Sequence, residues 1–121
     1  MNYFHTNIVE QVEKNTYYRK VLYTVPSTKE TSGLQVVVMS IPPKTSIGME
    51  IHEGTQSITV HSGKGKGIVD GKEFKLEKGD ILVIPPYRKH NITNRSAVHP
   101  LDLVSYYTPP EHPPRLLQKK K

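Results

Sequence analysis

The hydrophobic positions of this chain fall into short runs that are separated by polar residues, glycine and proline. The runs are rich in Val, Ile, Leu and Tyr, and β-branched and aromatic residues favour strands. The ten prolines and eight glycines interrupt any long helical period. The pattern predicts eight or so short strands, at residues 17–25, 34–41, 57–61, 66–69, 72–76, 81–84, 91–94 and 101–107. We therefore expect an all-β sandwich or barrel.

Two local signals add detail to this pattern. Asp70-Gly71 separates two of the strand segments, and such a dipeptide suits a hairpin turn in which both central residues have positive φ. Asn7 is followed three residues later by Glu10, which is typical of a helix start, and an apolar stripe follows. We predict a tight hairpin at Asp70-Gly71 and a short N-terminal helix or extension.

The last part of the chain differs in composition from the rest. Residues 109–121 contain four prolines and end in lysines, which predicts polyproline II or an irregular tail. Leu116 and Leu117 are the apolar residues that can dock on the barrel or on a second subunit. We divide the chain into an extension at 1–16, a barrel at 17–108 and a Pro/Lys-rich tail at 109–121.

Charge and composition narrow the classes of partner and location. The formal net charge is +6, but four of the 17 basic residues lie in the tail, and no stripe of Lys and Arg alternates with aromatic residues. We therefore expect no nucleic-acid partner. No run approaches the ~18 apolar residues of a membrane span, and the first fifteen residues lack the apolar core of a secretion signal. Together with the absence of cysteine, this favours a cytoplasmic protein with no membrane partner.

Because the chain has no cysteine, any metal must be held by imidazole, carboxylate or amide groups. Glu50 and His52 are two residues apart, so on a strand their side chains leave the same face. Gln56 follows after a segment that can turn the chain back, and His90 opens a later strand. Two imidazoles and one carboxylate are a recurring donor set for Fe, Mn, Ni or Zn.

Each of these residues also has a simpler interpretation. A single histidine is more often a surface or hydrogen-bonded residue than a ligand, and most glutamates are solvated. That interpretation is preferred for the isolated residues His5, His61 and His99. For His112, which lies between prolines, a plain tail residue is preferred over one that closes the barrel mouth.

The spacing of the candidate ligands resembles the two short motifs of the cupin superfamily. The first motif is matched by Glu50-x-His52, three residues, Gln56, six residues and a glycine. The second is matched by Gly79, five residues, Pro85-x-Tyr87, two residues, His90, three residues and an asparagine. Within that superfamily, stretches such as GMEIHEGTQ and SYYTPPEHPP resemble small single-domain barrels described as mannose-6-phosphate isomerase-like. The resemblance implies a double-stranded β-helix, or jelly-roll barrel, with a divalent metal held by the four residues Glu50, His52, Gln56 and His90.

The chain departs from the motifs at three positions. Glu50 replaces the usual first histidine, and Gln56 replaces the usual glutamate, so that one carboxylate is kept but moved. Because an amide is a weak ligand, the metal affinity is expected to be lower. Tyr87 stands where glycine is usual and should change the turn ahead of His90, since glycine there commonly permits positive φ.

Three functional hypotheses follow from the resemblance. The first is a metal-dependent enzyme, an isomerase or oxygenase, whose metal keeps open coordination positions for a sugar, sugar phosphate, keto or enediol compound. The second is a module that binds a small ligand or metal without turnover, and the third is a structural barrel with an empty site. Small cupins commonly pair, so a homodimer is also expected.

Overall fold

The computed structural model describes residues 3–121, and these form one short helix and nine strands. The elements in chain order are α1 (Ile8–Lys14), β1 (Arg19–Val25), β2 (Leu34–Ile41), β3 (Thr55–Ser62), β4 (Gly65–Val69), β5 (Lys72–Leu76), β6 (Ile81–Ile84), β7 (His90–Asn94), β8 (Leu101–Thr108) and β9 (Leu117–Gln118). The all-β prediction is confirmed, and each of the eight predicted strands is present with bounds that differ by at most a few residues.

The strands form two antiparallel sheets, and most strands that follow each other in sequence are not neighbours in a sheet. The order in the six-stranded sheet is β6-β3-β8-β2-β1-β9, and the order in the three-stranded sheet is β5-β4-β7. The arrangement agrees with the predicted jelly-roll barrel. The Asp70-Gly71 turn that joins β4 to β5 has φ of 48° and 84° at its two central residues, as the hairpin prediction requires.

The main core lies between the sheets and is built from alternate residues of the strands. On β2, for example, Val37, Met39 and Ile41 belong to this core and are at most 2% exposed. Val38, on the opposite face of β2, is also fully buried. The consecutive apolar residues 36–39 of β2 are therefore explained by burial on both faces.

The predicted N-terminal helix covers that second face of the large sheet. Asn7 is its N-cap, and the Asn7 side chain accepts a hydrogen bond from the backbone N–H of Glu10 at 3.0 Å, which satisfies one of the free donors of the first turn. Val12 packs against Val38 and Val104 in a small second core. The helix thus protects an apolar sheet face that would otherwise meet water.

The tail beyond β8 is mostly irregular, as predicted, but it is attached to the barrel. Leu117–Gln118 pairs with the first residues of β1, and the backbone carbonyl of Leu116 accepts a hydrogen bond from Val21 at 2.9 Å. Leu116 also packs against the main core. The sequence allows the tail to dock on the barrel but does not predict it, because a strand of two residues is too short to show an alternation of apolar and polar residues.

A buried glutamine fixes the tail where it crosses the barrel. Gln35 is fully buried on β2. Its amide nitrogen donates to the hydroxyl of Thr24 and to the carbonyl of His112, and its amide oxygen accepts from the backbone N–H groups of Glu111 and His112. A buried polar group needs such partners to be tolerated, so Gln35 specifies the path of the tail.

Over residues 3–121, the helix is too short and too polar to pass through a lipid bilayer.

Candidate metal centre

Backbone pairing brings Glu50 and His90 together. The two residues form an isolated antiparallel bridge, in which the N–H of Glu50 donates to the carbonyl of His90 at 2.8 Å and the reverse bond is 2.9 Å. Directly opposite residues of an antiparallel pair project to the same side. Although Glu50 lies outside the named strands, its side chain therefore shares a face with that of His90.

His52 completes a cluster of three potential ligands. One ligand atom from each of Glu50, His52 and His90 lies within 4.8 Å of the others, and both histidines are buried. Nε2 of His52 is 3.8 Å from a carboxylate oxygen of Glu50, and the two imidazole rings are 4.9 Å apart. Three of the four predicted ligands thus meet at one point inside the barrel.

The surroundings of the two imidazoles define which ring nitrogen is free. Nδ1 of His90 is 2.8 Å from the carbonyl oxygen of Arg88, and a carbonyl only accepts, so the proton belongs on Nδ1. Nδ1 of His52 lies 3.3 Å from a carboxylate oxygen of Glu111, which favours the same tautomer. In both rings Nε2 is then the atom with a free lone pair, as metal-binding imidazoles require.

Gln56 offers a third unpartnered atom. It lies on β3 directly opposite Tyr107 of β8, and its amide nitrogen donates to the Tyr107 hydroxyl at 2.9 Å. Its amide oxygen is buried without a hydrogen-bond partner among the described residues. The amide therefore presents its oxygen as the free atom and does not donate to Glu50.

The buried, unpartnered atoms provide a test of whether these residues suit a cation. Nε2 of His52, Nε2 of His90 and Oε1 of Gln56 lack hydrogen-bond partners within residues 3–121. A buried polar atom without a partner is destabilising by about 1–3 kcal/mol, so several of them together indicate a missing bound group. All three are electron-pair donors, and a carboxylate lies beside them, so this donor set fits a metal ion. Nε of Arg19, which lines the same cavity, is also buried without a partner within residues 3–121, and it is a hydrogen-bond donor.

The cavity beside these residues is small. Its volume is about 10 Å³, and Glu50, Gln56 and His90 line it together with Arg19 and Tyr107. A space of this size holds one ion or one water molecule. The site is therefore closed to a sugar-sized molecule in the conformation described.

The tail closes the site from one side. In addition to the contact of Glu111 with His52, the ring of His112 packs against that of Tyr107 with centroids 5.0 Å apart. Burial, together with the neighbouring Arg19 and His52, lowers the pKa of His112 to about 4, and burial raises the pKa of Tyr107. Both groups are accordingly neutral near pH 7. The preferred prediction for His112, a plain tail residue, is wrong, because the ring is part of the wall around the centre.

Three neighbours of the centre were not predicted from the sequence, namely Arg19, Tyr107 and Glu111. For Tyr107 a signal exists, since Leu103, Ser105 and Tyr107 alternate along β8 and Ser105 places a polar side chain at a core position. For Glu111 no local pattern exists, because its position depends on the path of the tail.

The turn ahead of His90 keeps a left-handed residue despite its side chain. Tyr87 has φ of 61°, and its N–H donates to the carbonyl of His52 at 2.8 Å. A non-glycine residue in this region costs roughly 1 kcal/mol. The expectation that tyrosine changes the turn is therefore wrong, because Tyr87 adopts the positive φ that glycine usually provides. Its hydrogen bond connects the turn to the segment that carries His52.

Comparisons with known proteins agree with this fold and site. The family described as "Cupin domain" matches residues 37–107, which is more than half of the chain. An uncharacterized protein, L612, of Acanthamoeba polyphaga mimivirus is 37% identical over 112 residues, which cover 89% of this chain and 66% of that protein. The uncharacterized protein YrkC of Bacillus subtilis is 31% identical over 118 residues, covering 91% of this chain and 59% of YrkC. The chain thus spans less than two thirds of the length of either relative.

Among solved structures, the crystal structure of BH2720 from Bacillus halodurans superposes with a TM-score of 0.84 at 28% sequence identity. The superposition covers 97% of this chain and 89% of that one, so it includes the tail as well as the barrel. Together with the family match and the two-sheet topology, it shows that this chain belongs to the cupin family.

Proposed function

We propose that the chain binds a divalent transition-metal ion through Glu50, His52, His90 and Gln56. The observation that carries the proposal is the convergence of two imidazole Nε2 atoms and one amide oxygen, all buried and unpartnered, beside a carboxylate. With two nitrogen donors and two oxygen donors, Mn, Fe, Ni and Zn are the candidate metals. Such a metal, when bound, supplies Lewis-acid chemistry or, in the case of iron, activation of O₂.

We further propose that the centre acts on a small oxygenated molecule, such as a sugar, a sugar phosphate, or a keto or enediol compound. The resemblance to mannose-6-phosphate isomerase-like barrels supports testing sugars and sugar phosphates first. Around the metal, Glu111 would hold the tautomer and direction of His52, and Tyr107 would orient Gln56. The neutral rings of Tyr107 and His112 would exclude water from one side.

The second candidate is a module that binds metal without turnover. The cavity of about 10 Å³ favours it, because a substrate reaches the ligands only if the tail or another wall moves. The two candidates differ in a simple screen of phosphosugars and keto acids. An enzyme consumes one of them in a metal-dependent way, whereas a binding module shows at most a shift of melting temperature.

A homodimer and a cytoplasmic location remain part of the proposal. Ile81 and Val83 on the edge strand β6 are 64% and 55% exposed, and such apolar side chains beside an unpaired edge suit a contact with a second copy.

Replacement of Gln56 with Glu tests whether the amide oxygen is a metal ligand. The change keeps the volume nearly constant, and the Tyr107 hydroxyl can turn to donate to the new carboxylate. A second anionic oxygen should then tighten Mn(II) or Fe(II) binding by about tenfold, since a hard cation prefers a charged oxygen. The gain should be larger at pH 7 than at pH 5, because only the ionised carboxyl is a good ligand.

Metal titrations of the wild type and of Gln56→Glu at the two pH values measure this effect. Ser57→Asp, on the other face of β3, is a control that adds the same charge outside the barrel. Unchanged or weaker metal affinity in Gln56→Glu would remove Gln56 from the set of ligands.

A further inference from the structure

A second cavity lies at the end of the barrel remote from the metal centre. Its volume is about 750 Å³, and it is formed by residues 62–65, 75–77, 95–96 and 99–100. His90 begins β7 and the cavity adjoins the end of the same strand, so at ~3.3 Å per residue the two sites are more than ~10 Å apart. Ligand pockets commonly have volumes of ~300–1,000 Å³, and only this cavity of the two described is in that range.

The surface of this cleft is mainly apolar, and it also carries several charged side chains. Lys64, Lys75, Arg95 and His99 line it, and Glu77 is the only acidic residue among the described residues of its walls. Across residues 3–121, neither the two lysines nor the arginine takes part in an ion pair. Three positive charges from three separate segments and one negative charge, that of Glu77, therefore surround one space.

Among the described lysines and arginines of the barrel, Lys66 and Arg88 form ion pairs and the others do not. Lys66, on the same strand as Gly65, lies 3.2 Å from the carboxylate of Glu73, and Arg88 lies 2.9 Å from that of Asp70. Like charges that face one space repel each other, and an anion bound between them removes the repulsion. The excess of positive over negative side chains around this one cleft therefore suits it to an anionic ligand.

We propose that this cleft binds a compact organic anion that carries phosphate or carboxylate groups. The guanidinium of Arg95 suits two-point contact with either group, and the lysines add mobile positive charges. Leu76 and Pro100 provide apolar surface for the body of such a molecule. No Phe, Tyr or Trp side chain lines the cleft within the described residues, so it lacks the large aromatic surfaces on which proteins stack single-stranded nucleic acid.

This proposal is independent of the metal centre. It adds a second ligand site at the opposite end of β7, and it stands or fails whether or not Glu50, His52 and His90 bind a metal.

Titration of the isotope-labelled full chain at low salt, followed by NMR, locates the site. Pyrophosphate serves as the phosphate probe and citrate as the carboxylate probe. We expect backbone amide shifts at residues 62–65, 75–77 and 95–99, and the probe that binds more tightly identifies the anionic group that the cleft prefers. Shifts centred on residues 50–52 and 90 would place the anion at the metal centre and overturn the proposal, as would the absence of shifts up to about 10 mM of either probe.

A matched pair of variants separates a built site from general charge attraction. Lys64→Gln with Arg95→Gln should weaken binding of the preferred probe at least about tenfold, because each lost contact is a charge-assisted hydrogen bond. Lys29→Gln with Lys119→Gln removes the same charge from exposed positions outside the cleft and should change affinity less than about twofold. Equal losses in the two variants would show that the anion responds only to the net charge of the chain.

Discussion

Replacement of His90 with Ala should reduce metal affinity by about tenfold to a hundredfold. The variant removes a buried nitrogen donor whose direction is set by the Arg88 carbonyl, and alanine has no ligand atom to replace it. The backbone bridge between Glu50 and residue 90 does not involve the side chain, so the β-fold should be retained. Competition with a coloured chelator, for Mn(II), Ni(II) and Zn(II) in turn, measures the loss.

His5→Ala is the matched control for this variant. His5 is exposed in the N-terminal extension and lies outside the ligand cluster, so its removal should leave metal affinity unchanged. Circular dichroism of the two variants should be alike. Equal affinities for His90→Ala and His5→Ala, with both folded, would favour a barrel whose site is empty.

Deletion of Leu116–Lys121 should lower the stability of the barrel markedly. The deletion removes the β1–β9 pairing, the hydrogen bond from Val21 to the Leu116 carbonyl and the packing of Leu116 against the core. It also removes the Gln118 side chain that accepts a hydrogen bond from Arg19 at 2.7 Å. These contacts together are expected to stabilise the fold by about 2–3 kcal/mol, so the melting temperature should fall by roughly 10 °C.

A shorter deletion isolates the contribution of the docked residues. Removal of Lys119–Lys121 takes away only exposed lysines and should shift the melting temperature by less than about 2 °C. Thermal unfolding of the two truncated chains measures the difference. Similar melting temperatures for the longer deletion and the wild type would mean that the tail makes no net contribution to stability.

The strands of the barrel could be predicted from sequence because their signals are local. Turn residues separate the apolar runs, and the Asp70-Gly71 turn has the backbone conformation that its residue types favour. The short strand β9 and the role of Gln35 could not be predicted in this way. Gln35 lies within an apolar run, and its partners at residues 111 and 112 are more than seventy positions away in sequence.

The candidate centre could be predicted in part, because the spacing of its ligands is visible in the sequence. The spacing of Glu50, His52 and His90 reproduces a superfamily pattern, and the structure brings these three residues together. Gln56 lies beside them with a free oxygen, and its role as a ligand stays a prediction. Glu111 and His112 reach the centre only because the tail folds back, and the prolines around them indicate irregular backbone without indicating its direction.

The metal content of the purified protein shows whether the cluster of Glu50, His52 and His90 is a metal site. The full chain is purified without chelators and without an affinity tag, and elemental analysis is compared with that of His52→Ala combined with His90→Ala. We expect about one transition-metal ion per chain in the wild type and a loss of most of it in the double variant, because that variant removes both buried nitrogen donors. A wild type without metal that also fails to take up Mn, Fe, Ni or Zn when these are added, or a double variant with undiminished metal, would show that these residues do not hold a metal.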